Sequence, residues 1–224
     1  MIIESRYNGP PGSGNGGWSA GVFAGAYDTD RPVEVTLRRP PPLDTPLTLT
    51  DGDVYDPDGH LVAEVRPAGD LPDPVALVDP VDPVTARAAS AGYPGLVDHP
   101  FPGCYVCGPE HPDGLRIFPG RLPDGRTAAS WRTPRQVTAP TTWAALDCPG
   151  GWAVIAPGRP YVLGRIAVAL DALPEPGEEC VVTGKVITAE GRLAVVHTSL
   201  YGSAGALLGR ARATWVALPP VSRP

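Results

Sequence analysis

What most constrains this chain is that it reads twice. A small-residue segment, "GNGGWSAGVFAGAY", is followed by "VEVTLRRPPPLDTPLTLTDGDVYDPDGHLVAEVRPAG". In the second half, "WAALDCPGGWAVIA" is followed by "VLGRIAVALDALPEPGEECVVTGKVITAEGRLAVVHTSLYGSAGALLGRARATWVAL". Each half reads as a helix, a strand, a Pro-rich bend and then hairpins, with turns that place Gly after an acidic residue at Asp58-Gly59 and Glu190-Gly191. A helix followed by antiparallel strands, repeated once, predicts an α+β protein in which each sheet wraps a central helix.

Alternation supports the strands. Val33, Val35 and Leu37 share one face while Glu34, Thr36 and Arg38 share the other. Residues 181–188, 193–200 and 206–217 are rich enough in Val, Leu and Ala to be buried on both faces. The first half is shorter, so either it lacks a strand or "MIIESRY" supplies one early. Gly17, Gly21 and Gly25 recur every four positions and line one helix face, which is expected to let the sheet approach closely. Between the halves (1–70 and 113–224) lies a Pro-rich connector, 71–112. It is predicted to hold one short helix capped by Asp82, opened by Pro83 and stopped by Gly92.

Composition excludes several function classes. At 42% hydrophobic, 224 residues can bury a sizeable core. A net charge of −6 argues against nucleic-acid binding, which needs clustered Lys and Arg. No apolar run is long enough for a membrane span and no signal peptide is evident, so a cytoplasmic protein is expected, with its four cysteines reduced.

The paired helix-then-hairpins pattern, "GNGG" opening one helix and "ALDCPGGWA" in the other resemble the hotdog-fold acyl-CoA thioesterases in a double-hotdog form. "CYVCGPEHPDGLRI" is similar to a Cys-x-x-Cys-Gly segment of some of them. The resemblance implies two sheets fused in one chain as a pseudo-dimer, with the backbone N–H groups of one helix start facing an acid on the other helix. Aligning "NGGWSAGVFA" with "APTTWAALD" sets Ala24 opposite Asp147 and Ala139-Pro140 opposite Gly16-Gly17. The first half keeps the glycines and lacks the acid, and the second keeps the acid and lacks the glycines. One composite site is implied: catalytic Asp147, Gly16 and Gly17, with Asn15, Trp18, Trp143 and Trp152 binding substrate. The expected activity is hydrolysis of acyl-CoA or a related acyl thioester without metal or organic cofactor. The partners expected are a small-molecule thioester and, as an open option, a second copy forming a homodimer of pseudo-dimers.

Competing readings overlap the same residues. Pro149 suits a first helical turn, so Asp147 or Cys148 also reads as the N-cap of a helix starting there. Gly12-x-Gly14-x-x-Gly17 matches a dinucleotide fingerprint but lacks its strand. Gly17-Trp18-Ser19-Ala20-Gly21 matches a nucleophile elbow, which makes a serine hydrolase using Ser19, His197 and Asp171 an alternative. A non-catalytic acyl or hydrophobic-ligand binder on the same fold is another. Cys104 and Cys107 have metal-like spacing, with His99 and His111 nearby, but a single Cys-x-x-Cys favours a structural turn over zinc. Cys148 and Cys180 read as packing residues, and His60 as a solvated turn residue.

Overall fold

A computed structural model describes residues 1–29, 31–68 and 77–219. The first half contributes helix α1 (Gly16–Ala26) and strands β1 (Val33–Leu37), β2 (Thr48–Thr50), β3 (Asp53–Tyr55) and β4 (Leu61–Pro67). Helix α2 (Pro83–Ala91) follows. The second half adds β5 (Gly120–Arg121), β6 (Thr127–Arg132), α3 (Ala139–Trp152), β7 (Tyr161–Leu170), β8 (Glu179–Glu190), β9 (Leu193–Tyr201) and β10 (Leu207–Ala217). The α+β class and the hotdog arrangement hold: α3 packs against five strands, β6 to β10, so the antiparallel sheet curls around it.

The expected pair of sheets is instead one ten-stranded sheet, ordered β2-β3-β4-β1-β7-β10-β9-β8-β6-β5. The halves join where β1 pairs antiparallel with β7, with Val35 opposite Ile166. Either strand would otherwise present an open row of N–H and C=O groups, and pairing them satisfies both. The free edges are the short strands β2 and β5.

The segment "MIIESRY" is not a ladder strand. The Met1 ammonium donates to Leu47 O, and Ser5–Tyr7 form one 3₁₀ turn. The connector helix runs as its caps predict: Asp82 accepts from the Val84 and Thr85 amides, and Gly92 closes it. The connector's end is no spacer, however. Leu115 N–H donates to Tyr105 O and Ile117 N–H to Val106 O, and Cys104 to Cys107 are all buried. Its start, 71–76, and residues 69 and 70 before it lie outside the described residues.

Helices α1 and α3 lie side by side, and the glycines explain how. A Cβ on Gly17 would stand 2.5 Å from Asp147 Cβ and 2.9 Å from Trp143 O, and one on Gly21 would stand 2.7 Å from Pro140 Cα. These glycines admit α3, not the sheet, and Gly25 faces open space. The sequence spacing identified a close approach but not the partner.

Candidate active site

The opening residues of the two helices correspond as the alignment paired them. Asn15 caps α1 by accepting from the Trp18 amide, and Thr138 caps α3 through a reciprocal box with Thr141. Asp147 therefore lies well inside α3, and Pro149 is an interior residue of the same helix, so Asp147 caps nothing. The capping reading fails because α3 is buried through nearly its whole length, and that packing offsets the hydrogen bond a proline removes.

Asp147 is only 2% exposed. Its Oδ2 accepts from Gly17 N–H at 3.0 Å and from Asn15 Nδ2 at 3.4 Å, while Oδ1 has no partner among the described residues. Burial pushes its carboxyl up to about 7, with the Gly17 amide pulling the other way. Among the described residues it makes no ion pair. A carboxylate so placed has one oxygen fixed by the positive end of a helix and the other free for a proton.

Asp147 lines a cavity of about 390 Å³ together with Asn15, Gly16, Trp152, Leu163 and Trp215. That volume is in the range of small-molecule sites, and the lining is mainly apolar. The expected site residues divide here. Asn15, Gly16, Asp147 and Trp152 face the cavity. Gly17 lies behind it and holds Asp147 through its amide. Trp18 instead stacks on Tyr7, with centroids 3.6 Å apart, and Trp143 packs beside Gly21, so neither lines the cavity. Both are large apolar side chains on helices, and their burial in packing interfaces took precedence.

A feature the sequence did not reveal sits beside Asp147. Cys148, the next residue on α3, brings its sulfur within 4.8 Å of those of Cys104 and Cys107. The Asn15 amide donates to Cys104 Sγ at 3.7 Å as well as to Asp147, and Trp152 Nε1 donates to Cys107 Sγ at 3.5 Å. The neighbouring Cys107 and Cys148 thiols favour the charged form of Cys104 and hold it well below the usual range, while burial pushes Cys107, and the neighbouring Cys104 pushes Cys148, well above it. His99 Nε2 lies 3.4 Å from Cys107 Sγ while its Nδ1 accepts from Phe101 N–H. His111 turns away, to Arg6 O. No local pattern links Cys148 to a turn so distant in sequence.

The serine alternative is not assembled. Ser19 is fully buried inside α1, with no strand leading directly into it, and Asp171 is exposed and paired with Arg210. His60 pairs with Asp56 in an exposed turn. No described helix is long and apolar enough to cross a membrane.

No family model and no curated protein matches the sequence. In structure the chain is similar to solved hotdog proteins of the thioesterase superfamily. One such protein is 18% identical and aligns with 52% of this chain, which spans 61% of that protein's length, at a TM-score of 0.47. The PaaI protein of the E. coli phenylacetic acid degradation operon is 11% identical over 48% of this chain and 83% of its own, with a TM-score of 0.43. A hypothetical thioesterase from Streptococcus pneumoniae, solved with coenzyme A, is 13% identical over 46% of this chain and 90% of its own, with a TM-score of 0.42.

Proposed function

We propose that the chain is a thioesterase acting on acyl-CoA or a related acyl thioester, the two halves forming a pseudo-dimer with one composite site. The observation that carries this reading is the Asp147 carboxylate, buried in an apolar cavity and held from across the helix pair by the Gly17 amide. Oδ1, which has no partner among the described residues, takes a proton from water as the water oxygen attacks the thioester carbonyl carbon. The developing oxyanion is met at the α1 N-terminus, where the Gly16 amide belongs to the first turn and has no intrahelical acceptor. The intermediate collapses by breaking the C–S bond, the thiolate takes up the proton, and a carboxylic acid and a thiol result. Gly17 is thus a positioning residue, because its N–H is already engaged by Asp147. Asn15 shares the positioning through its amide.

A non-catalytic binder would be favoured by an Asp147 locked in an ion pair without a cavity, and neither condition holds. The test is thiol release from a panel of acyl-CoA thioesters. Asp147→Asn, which keeps size and polarity, is expected to lower turnover about a hundredfold or more with the fold intact. Wild-type rates in that variant would refute the assignment.

A further inference from the structure

We propose that Cys104, Cys107 and Cys148 are the protein ligands of a zinc ion, with the fourth position open toward the cavity. The three sulfurs already lie within 4.8 Å of one another. Tetrahedral zinc with Zn–S near 2.3 Å needs sulfurs about 3.8 Å apart, so side-chain adjustments of a few tenths of an ångström to about 1 Å close the set. The spacing of Cys104 and Cys107 alone is an incomplete site, and Cys148 from α3 supplies the missing third thiol.

Two of the three sulfurs have hydrogen-bond donors aimed at them. Asn15 Nδ2 donates to Cys104 Sγ at 3.7 Å. Trp152 Nε1 donates to Cys107 Sγ. Gly108 lets the turn close, because a Cβ there would lie 2.4 Å from Cys104 N and from Pro102 O. Donors converging on thiolate sulfur are what a metal-bound cluster needs around it, whereas neutral packing thiols need none.

His99 is excluded as the fourth ligand by its own hydrogen bonds. Its Nδ1 accepts from the Phe101 amide, so in the neutral ring the proton sits on Nε2, which points at Cys107 Sγ. It donates to a ligand instead of binding the metal. Cys104, Cys107 and Cys148 line the same cavity as Asp147. Three soft thiolates select zinc over calcium or magnesium. Binding joins the connector to α3 and releases the thiol protons.

The test is elemental analysis of reduced full-length protein, followed by titration of the metal-stripped protein with Zn²⁺ against a chromogenic chelator and with Co²⁺ by absorption. About one zinc per chain is expected, with a near-ultraviolet thiolate-to-cobalt band. Cys148→Ser should lose that band while circular dichroism stays native. Cys180→Ala, remote from the cluster, should keep it. His99→Ala should keep the stoichiometry with about 10- to 100-fold weaker binding, the usual scale for a residue that supports a ligand. Reduced wild-type protein that takes up neither ion would overturn the proposal, whether or not Cys104 and Cys107 form a disulfide in air. So would an unchanged cobalt spectrum in Cys148→Ser. Neither result bears on thioester turnover, which is measured separately.

Discussion

Replacing Gly17 with alanine adds one methyl group where the two central helices touch. The new Cβ would sit 2.5 Å from Asp147 Cβ, 2.9 Å from Trp143 O and 3.1 Å from Ala144 Cα. All three obstacles are backbone or first side-chain atoms, so no rotamer change relieves them, and α1 must move away from α3. Overpacking of this kind costs about 1–3 kcal/mol, with the rigid surroundings favouring the upper part of that range. Alanine's better helix propensity offsets about 1 kcal/mol, which leaves a net loss of about 1–2 kcal/mol. Gly25 on the same helix is the internal control, since a Cβ there meets nothing within 4 Å. Gly25→Ala keeps only the propensity gain, a few tenths to about 1 kcal/mol. Urea denaturation of the two variants should therefore show midpoints moving in opposite directions. Separating the helices also lengthens the 3.0 Å bond from Gly17 N–H to Asp147 Oδ2, so thioester hydrolysis should fall in Gly17→Ala and not in Gly25→Ala. Equal shifts of the same sign would refute the close-approach argument, and full turnover in a destabilised Gly17→Ala would detach that amide from catalysis.

Other perturbations read the fold independently. Thr127→Val removes a buried hydroxyl that donates to Pro149 O at 2.6 Å, and leaving that carbonyl unpartnered should cost about 1–3 kcal/mol in chemical denaturation. Asp82→Ala removes the cap of α2, which accepts from the Val84 and Thr85 amides, and should cost about 1 kcal/mol, while Asp82→Asn recovers most of it. Trp131→Ala, at a side chain 1% exposed on β6, should cost about 3–5 kcal/mol as measured by a lowered thermal midpoint.

How much was legible before the structure depended on whether the signal was local. Alternation at Val33, Val35 and Leu37 located β1 because period-two burial is written into neighbouring residues, and Asp82-Pro83 with Gly92 bounded α2 because caps act within one turn. The pairing of Gly16 with Ala139 placed both helix starts, which set Asp147 opposite α1 and made the link to Gly17 foreseeable. Local rules misled where tertiary packing outweighed them. Pro149 reads as a helix opener, yet α3 carries it in its interior. The single sheet was overlooked because a repeat predicts its own copies and not how their edges meet, although unpaired edges on β1 and β7 were an argument for joining them. The thiol cluster had no local signature, because Cys148 meets Cys104 and Cys107 only when the connector folds back on α3. One sequence signal was nevertheless available. Cys148 follows the lone carboxylate directly, so any contact that positions Asp147 also positions this thiol, and a reading that assigned chemistry to one residue had reason to ask what faced the other.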